Sequence, residues 1–108
     1  ARLAAFIEKG LRKKGFTTTI AQDGLQAIEL VQAQKIDLLL LDLGLPLIDG
    51  MTVLQKLRGQ GLQIPIIVVT ARTDERERRE ALQAGANGFI TKPFRFSDLL
   101  ITVQSCLD

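Results

Sequence analysis

The sequence predicts an α/β fold in which a parallel sheet is covered by helices on both faces. Helical and strand-like patterns alternate along its 108 residues, which is typical of sheets built from strand–helix–strand units. Residues 36–41 and 66–69 are almost wholly apolar, as expected of strands buried on both faces. A chain of this length supports one domain with one core.

In the first half of the chain, apolar residues three and four positions apart predict helices, and β-forming residues predict an early strand. The predicted elements are a helix at 2–14 stopped by Gly15, a strand at 16–21, a turn at Asp23-Gly24, a helix from Leu25 to about Gln34 and a strand at 36–41.

The second half repeats this alternation, with side-chain oxygens placed to cap helix starts. Its predicted elements are a helix around Met51, Leu54 and Leu57 ended by Gly59 and Gly61, a strand at 66–69, a charged helix capped by Thr73 or Asp74 and running to about Ala84, a strand at 88–90 and a last helix capped by Ser97.

Composition excludes several classes of function. A net charge of +2 is too small to indicate a nucleic-acid-binding surface, so we expect no direct nucleic-acid contact. One cysteine, Cys106, and no histidine exclude an internal disulfide, thiol–imidazole catalysis and histidine-ligated zinc. No apolar stretch approaches the roughly 18 residues of a membrane span, and the first residues do not resemble a signal peptide. We therefore expect a cytoplasmic protein without membrane contact.

Three polar residues follow predicted strands and indicate a function. Asp42, Thr70 and Lys92 each come at or just after the end of a strand, and ligands in open parallel sheets bind outside these carboxyl ends. Phosphoryl transfer requires such a set: Asp42 as the nucleophile, and Lys92 and Thr70 as partners of the phosphoryl oxygens. The small Ala71 leaves room for the group.

Each of these residues also has a purely structural interpretation. A lone aspartate at a strand end is more often a turn or helix cap, Thr70 could begin a turn, and Lys92 could be a solvated edge residue. Phe89 in a small α/β domain is by default part of the core. The combination of all of them in this order favours a functional site, because each would otherwise need its own coincidence.

These residues resemble those of the receiver domain of two-component response regulators, and the resemblance spans essentially the whole chain. The motifs are Asp42-Leu43-Gly44-Leu45-Pro46 followed by Gly50, Val68-Val69-Thr70-Ala71, and Thr91-Lys92-Pro93-Phe94. The resemblance implies a flavodoxin-like (CheY-like) doubly wound sheet of five strands in the order 2-1-3-4-5. It also implies Asp42 as the phosphoacceptor, Thr70 and Phe89 as the switch residues, and a Lys92–Pro93 bond that is usually cis.

The same resemblance implies how the domain would work. A sensor histidine kinase or phosphotransfer protein supplies the phosphoryl group, and the domain assists its own phosphorylation and dephosphorylation without being an enzyme. Mg²⁺ is the implied cofactor, with Asp42 and the backbone carbonyl of Gly44 among its ligands, and Arg72 lies near the path of the attacking water. The output is a changed face over residues 73–107, which serves a homodimer or an effector domain after Asp108, as in transcription regulation.

The sequence departs from the family at its start. The family pattern begins with an apolar strand ending in acidic residues, whereas this chain begins at Ala1, already inside the first helix. We therefore expect residues 1–108 to be an N-terminally truncated receiver domain without strand 1 and without the acidic pair that completes the magnesium site. Residues 16–21 would then lose their neighbouring strand. Our hypothesis is that upstream residues exist in the natural protein; a strand supplied by a partner is the alternative.

Two other functions stay open at this point. A receiver-like interaction module that is not phosphorylated would have the same fold, and the absence of an upstream acidic pair would favour it. An enzyme such as a phosphohydrolase using Asp42 is disfavoured, because that class usually needs a second carboxylate two residues on, where this chain has Gly44.

Overall fold

The computed structural model describes residues 2–44, 47–71 and 75–107, and the described residues form an α/β fold around a parallel sheet of three strands. The elements are α1 (Arg2–Lys13), α2 (Gly24–Ala33), β1 (Leu39–Asp42), α3 (Gly50–Gly59), β2 (Ile66–Thr70), α4 (Glu75–Gln83), β3 (Gly88–Thr91) and α5 (Phe96–Leu107). The predicted fold class is therefore confirmed.

The strands lie in the order β1-β2-β3 and pair in parallel. This order agrees with the last three strands of the predicted sheet. All five residues of the central strand β2 are buried, because it has a neighbour on each side and helices on both faces. The register places Asp42 opposite Val69 and Thr70 opposite Thr91, so the ends of the three strands meet at one edge.

The core has two parts, one on each face of the sheet. On one face, β1 and β2 pack against the apolar sides of α2, α3 and α4, with Val53, Leu54 and Leu57 of α3 fully buried. On the other face, Ile67, Val69 and Ile90 pack against Leu99 and Val103 of α5, and α1 adds Ile7. This two-sided burial explains why the strands are continuous apolar runs rather than alternating ones.

The helix ends follow the local chemistry of the sequence. Asp23 and Asp49 cap α2 and α3: their side chains accept hydrogen bonds from the backbone N–H groups of Gln26 and Thr52. Gly15 follows α1 with a φ of +93°, a left-handed conformation that glycine adopts without strain. The predicted stop at Gly15 is confirmed, and the predicted turn at Asp23-Gly24 proves to be the first turn of α2.

The predicted strand at 16–21 is wrong for this structure, since these residues form no strand. A strand is defined by hydrogen bonds to a neighbour, and no described strand lies beside this segment. The β-forming residues of this segment favour an extended backbone, but they do not by themselves make a strand without a neighbour to pair with. Its ends nevertheless contact both parts of the core, through Phe16 on one face of the sheet and Ala21 on the other.

Other boundaries differ by a few residues. The predicted cap Ser97 lies inside α5, because the helix already begins at Phe96 and the backbone N–H groups of Asp98 and Leu99 donate to the carbonyl of Arg95. The strand predicted at 36–41 is observed only over Leu39–Asp42. The predicted caps Thr73 and Asp74, together with Pro46 and Arg72, lie outside the described residues. Among the helices that the structure describes, none has the length and apolar character needed to cross a membrane.

Candidate functional site

Asp42 is the last residue of β1, and its carboxylate is held by two partners at the carboxyl edge of the sheet. One oxygen, Oδ1, accepts a hydrogen bond from the backbone N–H of Gly44 at 2.8 Å. The other, Oδ2, accepts from Nζ of Lys92 at 2.8 Å, and this contact is also an ion pair. The Asp42 side chain keeps 41% of its surface exposed, so the carboxylate is both oriented and accessible.

Lys92 is fixed at its backbone as well as at its side chain. Its N–H donates to the carbonyl oxygen of Thr70 at 2.7 Å, which continues the β2–β3 pairing one residue beyond the strand end. The following Lys92–Pro93 peptide bond is cis, as the resemblance implies. A lysine held in this way is not a freely solvated edge residue, and that structural interpretation is excluded.

Thr70 ends β2 and is only 2% exposed. It lies one position beyond Val69, the residue opposite Asp42, and it faces Thr91 in the ladder. The structure therefore brings the three residues predicted from sequence to one edge: Asp42, Thr70 and Lys92. The capping interpretation of Asp42 is also partly correct, because its Oδ1 closes a turn onto Gly44.

An open depression lies next to this edge and is lined by Ala71, Lys92, Pro93 and Phe94. Ala71 is exposed and, being small, leaves the space over Lys92 clear. Phe89 is not among the lining residues. Its ring is partly buried and packs against the part of the core that holds α2, α3 and α4.

Two acidic residues, Asp23 and Asp49, cap the starts of α2 and α3. Each of these side chains accepts a hydrogen bond from a helix N–H, at 2.8 Å for Asp23 and 2.9 Å for Asp49. Within the described ranges, no three of the side chains that commonly bind metals form a cluster. Asp42 supplies one accessible carboxylate, and Mg²⁺ is commonly held by one or two carboxylates with several waters. The described residues thus fit part of a magnesium site.

Sequence reasoning missed why Gly50 follows the motif. A Cβ on Gly50 would lie 2.6 Å from Cα of Leu43 and would also meet the carbonyl oxygen of Asp42. The N–H of Gly50 donates to the carbonyl of Leu43 at 3.2 Å, so the two ends of the loop after Asp42 touch here. The sequence signal was a glycine at the start of a helix, where its low helix propensity is unfavourable.

Comparisons with known proteins agree with this geometry. Residues 2–104 match the family model described as the response regulator receiver domain. The chain is 37% identical over 101 residues to the response regulator MprA of Mycobacterium ulcerans. The aligned region covers 94% of this chain and 44% of that protein. The chain thus spans less than half the length of the curated relatives that it matches.

Two solved structures are similar over nearly the whole chain. The receiver domain of the Francisella response regulator 1452 has a TM-score of 0.94 and 31% identity, covering 98% of this chain and 88% of that one. The receiver domain of the sensor histidine kinase PA1611 from Pseudomonas aeruginosa has a TM-score of 0.86 and 34% identity, and the match covers 96% of this chain and 87% of that one. The latter structure holds a magnesium ion coordinated in its active-site cleft.

Proposed function

This chain belongs to the response regulator receiver family, and on that premise we propose that residues 1–108 form a phosphoryl-accepting switch with Asp42 as the acceptor. The observation that carries the proposal is the 2.8 Å ion pair between Asp42 and Lys92. It joins residues 50 positions apart at an accessible edge of the sheet, beside an open depression. A carboxylate that served only as a cap would need no such cation.

The transfer proceeds by attack of an Asp42 carboxylate oxygen on the phosphorus of the donor. A new O–P bond forms as the bond from phosphorus to the donor breaks, and the leaving group departs with that bond's electron pair. The donor is a phosphohistidine of a sensor kinase or phosphotransfer protein. The Gly44 N–H and Lys92 orient the carboxylate before the attack, and afterwards Lys92 pairs with a phosphoryl oxygen.

Magnesium, when bound, neutralises charge on the phosphoryl oxygens. Asp42 and the backbone carbonyl of Gly44 are the proposed ligands within this chain. These two groups are an incomplete set, so the remaining positions belong to water and to oxygens that these residues do not supply.

The signal passes from the site to the face formed by α4, β3 and α5. The hydroxyl of Thr70 follows the phosphoryl group, and the ring of Phe89 turns into the space that is vacated. Phosphorylation is thus a local change of charge that shifts the balance between two arrangements of this face. The altered face meets a partner of the switch, either a second copy or an effector domain, with control of transcription as one output.

Intact mass spectrometry tests the proposal. We expect a gain of about 80 Da, one phosphoryl group, after incubation with acetyl phosphate and Mg²⁺. Asp42→Asn should abolish the gain, whereas Asp37→Asn, a change at an exposed loop carboxylate, should keep it. The absence of any gain on the full-length, folded protein would contradict the proposal and favour an interaction module that is not phosphorylated.

A further inference from the structure

A close backbone contact joins the start of α2 to the loop that follows Asp42. Gly24, the first residue of α2, is buried. A Cβ placed on Gly24 would lie 2.9 Å from Cβ of Ile48 and would also meet the carbonyl oxygen of that residue. Real Cβ atoms do not approach backbone atoms so closely, so any other residue here would require one side of the contact to move.

The helix side of this contact is firmly held. The side chain of Asp23 accepts from the N–H of Gln26 at 2.8 Å, and the side chain of Gln26 accepts from the N–H of Gln22 at 2.6 Å. Ala27 and Ile28 on the next turn are buried in the core. A side chain at Gly24 would therefore displace the loop rather than the helix.

On the loop side, Ile48 is only partly buried where it packs against the core. Leu47, next to Ile48, has a φ of +68° and is 79% exposed. Leucine disfavours this left-handed conformation, which persists only where the surroundings impose it. Gly50, two residues after Ile48, donates its N–H to the carbonyl of Leu43 at 3.2 Å, and Gly44, which follows Leu43, donates its N–H to Asp42 Oδ1. Movement of the backbone at Ile48 would thus be transmitted to the hydrogen bond that orients the carboxylate.

We propose that Gly24 is a positioning residue for Asp42. Its missing side chain lets the backbone at Ile48 settle against α2, which places the N–H of Gly44 on Oδ1 and leaves Oδ2 facing Lys92. The consequence for phosphoryl acceptance rests on the proposed function, whereas the consequence for the Gly44 hydrogen bond does not.

Gly24→Ala tests this, with Gly59→Ala as the matched control, because a Cβ at Gly59 would meet nothing within 4 Å. We expect Gly24→Ala to shift the Gly44 amide resonance in ¹H–¹⁵N spectra and to slow phosphorylation by acetyl phosphate about tenfold or more. Gly59→Ala should change neither. An unmoved Gly44 resonance in a folded Gly24→Ala chain would overturn the inference. If Gly24→Ala shifts the Gly44 resonance but the wild-type chain accepts no phosphoryl group, the inference stands and the proposed function is contradicted.

Ile48→Ala provides a second test that does not depend on the folding of Gly24→Ala. It removes the outer part of the side chain but keeps the three atoms nearest to a Cβ on Gly24: the carbonyl oxygen, the carbonyl carbon and Cβ. If contact with the backbone sets the position of the loop, the Gly44 resonance and the phosphorylation rate stay at their wild-type values. A shift of Gly44 in Ile48→Ala would show that side-chain packing sets the loop position, and would overturn the inference.

Discussion

At the scale of single residues, the Asp42–Lys92 pair illustrates how function and stability separate. Both side chains are partly exposed, at 41% and 25%, and ion pairs that water can reach contribute only about 0–1 kcal/mol to folding. Such a pair contributes little to holding the fold. In the proposed function, its value lies in the orientation of a carboxylate that remains open to a donor.

Replacement of Lys92 should therefore affect the chemistry more than the fold. We expect Lys92→Gln to change the free energy of unfolding by less than about 1 kcal/mol, measured by urea denaturation. The rate of phosphorylation by acetyl phosphate should fall about 100-fold, as when one stabilising donor is removed from a developing anion. An unchanged rate would show that Lys92 plays no part in the transfer.

Gly50 is a residue whose replacement should affect the fold directly. Gly50→Ala places a Cβ against the backbone of Asp42 and Leu43, and such overpacking costs about 1–3 kcal/mol. Gly59→Ala, where the space is open, should leave the free energy of unfolding within about 1 kcal/mol of the wild type or raise it. Equal stability of the two variants would contradict the close approach at Gly50.

At the scale of elements, Arg58 ties the end of α3 to the segment that leads into β3. Its guanidinium donates to the carbonyls of Gly85 and Leu62 at 3.0 and 2.8 Å and to Oδ1 of Asn87 at 2.8 Å. The same Asn87 oxygen accepts from the N–H of Ile66, at the start of β2. Desolvation by burial lowers the pKa of Arg58. The Arg58 side chain thus links the end of α3 to the segments that lead into β2 and β3, at the edge opposite the site.

This link depends on the shape of the guanidinium and not only on its charge. Lysine has a single ammonium that cannot reach acceptors arranged around a planar fork. We expect Arg58→Lys to lower the free energy of unfolding by about 1–3 kcal/mol, because it leaves partly buried acceptors unpaired. Arg12→Lys, at a side chain that is 61% exposed, should stay within about 0.5 kcal/mol of the wild type. Equal losses would show that the fork geometry is unimportant.

At the scale of the whole molecule, stability is concentrated in the middle of the sheet. β2 pairs on both sides and separates the two parts of the core. Residues 16–21, in contrast, form no strand and lie mostly at the surface. Protection of the amide hydrogens from exchange should therefore be greater in β2 than in residues 16–21, because such protection rises with buried contacts and with backbone pairing.

Amide hydrogen exchange of this chain should reveal that gradient. We expect the N–H groups of Val68 and Val69 to exchange most slowly, and those of Thr17 and Thr19 to exchange much faster. The comparison is made by NMR under native conditions, where slow amides report global unfolding and fast ones report local opening. Equal protection of the two segments would mean that residues 16–21 are paired in solution.

The sequence by itself determined the order of the elements, the buried strands and the meeting of Asp42, Thr70 and Lys92. Hydrophobic patterns and caps are local, and the carboxyl ends of parallel strands share one edge whatever the details of packing. Only the tertiary structure decided that residues 16–21 form no strand, that Gly24 and Gly50 are close-approach points and that Arg58 ties α3 to the segments before β2 and β3. Each of these depends on a neighbour distant in the chain, and local patterns hold no information about which atoms that neighbour presents.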